Sequence, residues 1–169
     1  MRVEFRFCPA CGQRLVPREI EGRQLPACPV CDFVAWPDPK VAVALVAQDQ
    51  ERRVLAIRRG ISPGRGQWAL PGGYLDAAET PEAGARRECL EETHCDVEVE
   101  RLACIYHTPT EAGGLLVLAY SGHLVAGEAA PTEEAPELRW FAADQVPELV
   151  FASHRQALAA WRAFLPGVS

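Results

Sequence analysis

Residues 41–48 form a nearly unbroken apolar run rich in valine, the pattern of a strand covered on both faces. A polar turn over 49–52 leads to a second strand predicted over 53–59. Residues 61–66 carry Ser, Pro and two Gly and read as a loop, with a short strand over 67–70. Thr80 followed by Pro81 is a sound helix start, Thr as N-cap and Pro at the first helical position, so a helix is predicted over 81–93. Ala85 and Cys89, at i and i+4, give that helix a small-residue stripe toward the sheet. Residues 96–107 begin by alternating, V-E-V-E, and then turn apolar, a strand passing from edge to core. A loop over 108–114, a strand over 115–125, an acidic, aperiodic and mobile loop over 126–136 and a short strand over 137–141 follow. Ser153 is expected to cap a last helix running to Leu165, with Leu158, Trp161 and Leu165 on its apolar face and Pro166-Gly167 ending it. This order gives an α/β or α+β domain, without internal repeats.

The start of the chain follows another pattern. Cys8-x-x-Cys11 and Cys28-x-x-Cys31 are separated by sixteen residues, a spacing that fits a four-cysteine zinc site. Each pair has a proline after its first cysteine, and Gly12 follows the first pair. Residues 1–36 therefore read as a Zn²⁺ ribbon with short strands around 13–19 and 32–36, and its metal would supply most of its folding free energy. Two disulfides in an exported protein are the alternative, but the opening M-R-V-E-F-R-F-C has no apolar core of a signal peptide. Trp36-Pro37-Asp38-Pro39 cannot be helix and ends the module, which sets two domains, 1–36 and 37–169. Cys89, Cys95 and Cys104 lie in apolar or helical contexts and are expected to be core residues.

A net charge of −6 over 169 residues argues against general binding to nucleic acid or anionic membrane. Within the ribbon, Arg2, Arg6, Arg14, Arg18 and Arg23 are nearly balanced by Glu4, Glu19, Glu21 and Asp32, so a nucleic-acid partner is not expected there either. The longest apolar run is too short to span a bilayer. A cytoplasmic location is expected.

The candidate chemistry lies in the first predicted helix. Glu88, Glu91 and Glu92 fall at i, i+3 and i+4, on one face within about one turn. Carboxylates that close repel one another, which favours cations between them. Hard ions such as Mg²⁺ take oxygen ligands and leave room for substrate phosphates. A solvated acidic face is the plainer reading of E-x-x-E-E by itself. The surroundings favour a site: Leu70-Pro71-Gly72-Gly73 supplies a tight turn just before the helix.

Gly73, Glu79, Arg87, Glu88, Cys89, Leu90, Glu91 and Glu92 together resemble the Nudix hydrolase signature, which asks for Gly, five residues, Glu, seven residues, Arg-Glu, an apolar residue, any residue and Glu-Glu. His94 and Cys95 depart from the family's glycine and aliphatic residue; His tolerates the left-handed conformation a helix end needs, at roughly 1 kcal/mol. The resemblance covers residues 38–165. It implies an α/β/α sandwich with a mixed sheet and an active site holding Mg²⁺ or Mn²⁺. It makes Glu88 and Glu92 the principal metal ligands, with Glu91 sharing metal or water. Gly73, Glu79 and Arg87 are implied to support the site, the last two as an ion pair; direct phosphate contact is the rival role for Arg87. A further catalytic carboxylate is expected from Glu111, Glu128, Glu133, Glu134 or Glu137, of which Glu134 is favoured. Gly72 is expected to let phosphates approach the backbone, and Arg58, Arg59 or Arg65 to neutralise them. Trp68 reads as core, and Tyr74 and Tyr106 as ring-stacking candidates.

Residues 105–110 show no trace of the S-Q-P-W-P-F-P motif of NADH pyrophosphatases. The order of ribbon, Pro-x-Pro-Lys, G-x-W-x-L-P-x-G and E-x-R-x-F (Glu137, Arg139, Phe141) is similar to Nudix proteins acting on ADP-ribose or FAD. The expected activity is hydrolysis of a nucleoside diphosphate linked to another moiety, giving a mononucleotide and a phosphorylated partner. An NADH or nucleoside triphosphate pyrophosphatase is the alternative. A non-catalytic nucleotide sensor or nucleic-acid-binding regulator is the reading from another class, and the intact carboxylate set weighs against it. A homodimer is expected, as in many Nudix proteins.

Overall fold

The computed structural model describes residues 5–109 and 113–165. The chain separates into two compact units, one drawn from residues 1–40 and 109–115, the other from 41–108 and 116–169.

In the smaller unit, β1 (Val16–Ile20) and β2 (Arg23–Ala27) pair antiparallel, from Val16 opposite Ala27 to Ile20 opposite Arg23. Glu21 and Gly22 between them both have positive φ, 51° and 73°, as a two-residue hairpin turn requires. The second strand of the ribbon is thus residues 23–27, ahead of the expected strand around 32–36, which contributes a single bridge from Val34 to Ala27. Two prolines hid this hairpin from the sequence pattern. Pro17 and Pro26 face each other across it, and on the outer side Pro26 accepts from the Ala35 amide. Cys8, Leu15 and Cys28 form the small core, packed by Phe33 and Ala35.

The larger unit holds a mixed sheet between helices. In chain order it comprises β3 (Lys40–Gln48), β4 (Val54–Arg58), β5 (Trp68–Ala69), α1 (Pro81–Thr93), β6 (Asp96–Thr108), β7 (Leu115–Ala126), β8 (Glu137–Phe141) and α2 (Ala152–Arg162). The strands lie in the order β5-β4-β3-β7-β6, with β8 paired to β4. β4 runs antiparallel to β5 and β8, whereas Trp68 bridges Leu149 in parallel. The valine-rich run is buried on both faces, as its composition requires: Val43, Leu45 and Ala47 pack with Ala85 and Cys89 of α1, and Ala44 and Val46 on the opposite face are fully buried. α2 buries Ala157, Leu158 and Trp161 and packs against β6.

Two expectations are corrected here. α2 starts after Phe151 with no side-chain cap, and Ser153 is buried inside its first turn. The chain's entry is set by Leu149 and Val150, which join the β5 edge (Val150 N donates to Trp68 O at 2.8 Å), and the Arg155 guanidinium donates to the Leu149 and Val150 carbonyls. Ala126 still belongs to β7, and residues 127–136 lack secondary structure but are pinned along their length: Ala130 N donates to Thr93 O (3.1 Å), Thr132 Oγ1 to Glu92 O (3.1 Å), and Gly60 N to Glu134 O (2.7 Å). Ala135 is fully buried. The segment's acidic, aperiodic sequence reads as a loose loop only while the helix end it binds is out of view.

Candidate functional site

The site begins where β5 leaves the sheet. Leu70 N donates to His154 Nδ1 (3.0 Å), Leu45 N to Pro71 O (2.9 Å) and Val43 N to Gly73 O (2.8 Å), so residues 70–73 run along β3 as a rigid turn. A Cβ on Gly72 would lie 2.3 Å from Val43 O, and one on Gly73 would lie 2.5 Å from Glu88 Oε1. Only a bare backbone fits between the strand and the helix carboxylate.

α1 then places the glutamates. Thr80 caps it through Ala83 N (3.2 Å), Pro81 occupies its first position, and His94 closes it in the left-handed conformation, φ 61°. Arg87 is the clamp. Its guanidinium grips both oxygens of Glu79 (2.7 and 3.0 Å) and reaches Tyr74 O (3.2 Å), Glu88 Oε1 (3.0 Å) and Glu91 Oε2 (2.9 Å). The Arg87 side chain and the Asp76 amide hold the Glu79 carboxyl down at about 2. Glu79 and Arg87 are thus paired, and the contacts to Glu88 and Glu91 link that pair to the acidic face.

Glu92 is 5 % exposed, and its Oε2 accepts from Gly72 N (2.8 Å). Burial pushes its carboxyl up to about 7 against the pull of the Gly72 amide, and the charges of Glu88 and Glu134 add to the rise. Burial likewise raises Glu88, in part offset by Arg87. Glu88, Glu91 and Glu92 line one cavity of about 610 Å³ together with Gly72, Gly73 and Arg87. Arg59, Thr132, Glu133 and Glu134 line the same cavity. Six carboxylates, counting Asp76, thus face two arginines, of which Arg87 is already engaged by three glutamates. The chemistry of this donor set, all hard oxygens with excess negative charge, fits divalent cations such as Mg²⁺.

Several expected residues lie elsewhere. Arg65 stands at the exposed tip of a tight turn between Gly64 and Gly66, both at positive φ, and does not line the cavity. Arg58 pairs with Glu137 at 2.9 Å, which engages both. Glu128 is exposed and Tyr106 half-buried, neither lines the cavity, and Glu111 lies outside the described residues. Trp68 packs edge-on against Phe141, ring centroids 5.2 Å apart. Tyr74 is half-exposed and lines the cavity. Arg59 is held in the wall by donating to Pro63 O (2.7 Å) and by lying 5.2 Å over the Phe151 ring.

His154 and Thr132 carried no signal in the sequence. His154 is 7 % exposed and burial lowers it to about 3, so it stays neutral and accepts from Leu70 N. Nothing local to either residue reveals its partner, which in both cases lies tens of residues away.

In the smaller unit the Sγ atoms of Cys8, Cys11, Cys28 and Cys31 all lie within 4.8 Å of one another, the one such group of three or more potential ligands among the described residues. Neighbouring sulfurs are 3.5, 3.6 and 3.9 Å apart, too far for a disulfide. Four sulfurs at 2.3 Å from a tetrahedral ion would be about 3.8 Å apart, so this set fits Zn²⁺. The Val30 and Cys31 amides donate to Cys28 Sγ at 3.4 Å each, and the Val30 amide is the chief cause of its fall to about 6, whereas Cys11 and Cys31, hydrogen-bonded to Cys28 and Cys8, are raised.

Residues 38–161 match the NUDIX domain family. The chain is 30% identical over 115 residues to an ADP-ribose pyrophosphatase of Methanocaldococcus jannaschii, covering 67% of this chain and 68% of that protein. It is 29% identical over 168 residues to an NAD-capped RNA hydrolase, NudC, of Deinococcus radiodurans; this takes in 90% of this chain, which spans about half the length of that relative (55%). A NUDIX hydrolase crystal structure from Nitrosomonas europaea superposes with a TM-score of 0.81 at 30% identity, covering 91% of this chain and 88% of the other.

Proposed function

The chain belongs to the NUDIX domain family and is a Nudix hydrolase, and from that premise we propose that it hydrolyses the diphosphate of a nucleoside diphosphate linked to another moiety, ADP-ribose or FAD, in a Mg²⁺-dependent reaction. The carrying observation is the convergence of Glu88, Glu91, Glu92 and Glu134 with Arg59 and the bare backbone of Gly72-Gly73 on one cavity. Mn²⁺ fits the same donors. The bound ions would neutralise the diphosphate and lower the pKa of the attacking water.

The chain's own residues take the remaining roles. Glu88, Glu91 and Glu92 hold the cations, and the Gly72 amide fixes the Glu92 carboxylate by its second oxygen. Glu134, which lines the same cavity, takes the proton from the attacking water. Arg59 meets a phosphate oxygen with the guanidinium edge left after its bond to Pro63 O. Water adds to one phosphorus, the bridging P–O bond breaks, and a mononucleotide and a phosphorylated partner leave. Arg87 holds Glu79, Glu88 and Glu91 in place and contacts no substrate in this reading. Zn²⁺ on Cys8, Cys11, Cys28 and Cys31 is structural, and the functional protein is a homodimer in the cytoplasm.

The ADP-ribose pyrophosphatase among the relatives supports this substrate class. A second reading, an NAD-linked substrate, is favoured by the NAD-capped RNA hydrolase, whose similarity takes in 90% of the chain against the 124 residues of the domain match. Purified protein with Mg²⁺ should be given ADP-ribose, FAD, NADH, an NAD-capped RNA, 8-oxo-dGTP and diadenosine polyphosphates. Preferred cleavage of ADP-ribose or FAD is the expected result. Preference for NADH or the capped RNA selects the second reading, and no turnover on any compound overturns both.

A further inference from the structure

The carboxylates of α1 and those of the 132–135 turn, Glu133 and Glu134, repel one another, yet they line one cavity. Something must hold the loop against that repulsion. A helix end leaves its last carbonyls without intrahelical donors, and here two of them are served by the loop: Ala130 N donates to Thr93 O and the Thr132 hydroxyl to Glu92 O, each at 3.1 Å. The same hydroxyl oxygen accepts from Ala135 N (3.1 Å), while Thr132 N donates to Ala135 O (3.1 Å). The 132–135 turn is thereby closed on itself around Glu133 and Glu134. From the other side Gly60 N donates to Glu134 O (2.7 Å), and the approach is so close that a Cβ on Gly60 would sit 2.2 Å from Glu133 O.

We infer that Thr132 is a positioning residue for the hydrolysis: its hydroxyl ties the main chain of the metal-binding Glu92 to the turn that presents Glu134. It acts through Glu134 and touches no reacting atom. This rests on the reading above that Glu134 takes the proton.

The oxygen is used on both sides, as donor to the helix end and as acceptor from the turn, so a methyl group in its place removes two hydrogen bonds without changing the volume of the side chain. Thr132→Val is the variant that asks the question, and Thr132→Ser, which keeps the oxygen, is its control. Thr132→Val should lower kcat roughly 10- to 100-fold, the range for residues that orient a metal-site group. KM for the substrate and the Mg²⁺ concentration for half-maximal rate should stay within about threefold of the parent protein, and Thr132→Ser should recover most of kcat. Because Thr132 acts through Glu134, the Thr132→Val, Glu134→Gln double variant should be no slower than Glu134→Gln alone. An unchanged kcat in Thr132→Val beside an impaired Glu134→Gln overturns the inference and leaves the proposed function standing. Full multiplicative loss in the double variant, or no recovery in Thr132→Ser, also overturns it. Full activity in Glu134→Gln sinks the assignment of the proton acceptor, whatever Thr132→Val does.

Discussion

At the residue scale the most informative group is Glu92. Its carboxyl titrates near 7 in the fold against an ordinary 4.5, because it is buried beside other acids. The folded protein thus binds its proton more tightly than the unfolded chain does. The stabilising contribution is complete below about pH 4.5 and is lost as the pH rises through about 7. In magnesium-free buffer, the parent protein should lose about 3 kcal/mol of stability relative to Glu92→Gln between pH 4.5 and 7.5, read as the difference in urea unfolding. Magnesium should reverse the sign at pH 7.5, since a bound cation favours the ionised carboxylate. A difference independent of both pH and magnesium would mean that Glu92 neither titrates in this range nor binds the ion. Turnover tests the same side chain from the other direction. Glu92→Gln keeps the shape and an acceptor for the Gly72 amide but loses the charge, and kcat should fall roughly 10²- to 10⁴-fold. Retention of most of the turnover would remove Glu92 from the reaction.

At the element scale α1 does two jobs, holding the carboxylates and packing on the sheet through Ala85 and Cys89. Its ends were legible in the sequence because caps are local: Thr80 and Pro81 at the start and His94 at the end are read from adjacent residues and behave as the chemistry of each requires. Thr80→Ala should cost about 1 kcal/mol and lower Tm by about 2–4 °C. A Tm unchanged within error would show that tertiary contacts alone hold the first turn. α2 is the contrast. Its start is fixed by Leu149 and Val150 joining β5 and by Arg155 binding their carbonyls, and no residue within the helix announces that. The β1–β2 hairpin escaped the pattern for a similar reason, since Pro17 and Pro26 are poor strand residues, tolerated in a two-stranded sheet whose strands are both edges.

At the scale of the whole molecule the two compact units depend on different forces. The larger has an apolar core; among the described residues the smaller buries little more than Cys8, Leu15, Ala27, Cys28 and Leu25. If Zn²⁺ holds the four thiolates, its removal should unfold the smaller unit. Purified protein should carry about one zinc per chain, and a strong chelator or Cys28→Ser should open residues 16–27 to limited proteolysis while the Nudix core survives. Resistance of that hairpin in the zinc-free protein would show that its own core suffices.

The sequence alone determined the elements whose causes are local: the buried valine strand, the capped helix with its three glutamates in register, and the paired cysteines at ligand spacing. Helical periodicity and capping act over a few residues, so the acidic face was readable before any fold was known. Only the tertiary structure decided which distant groups meet that face. It brought Glu134 to the cavity that the helix glutamates line and left Arg65 outside it, put Arg58 against Glu137, and brought His154 to the Leu70 amide. It also showed that an acidic segment without periodicity is fastened to a helix end by Thr132. Such contacts join positions 40 to 84 residues apart. They depend on the packing of the whole sheet and leave no mark in the local order of residues.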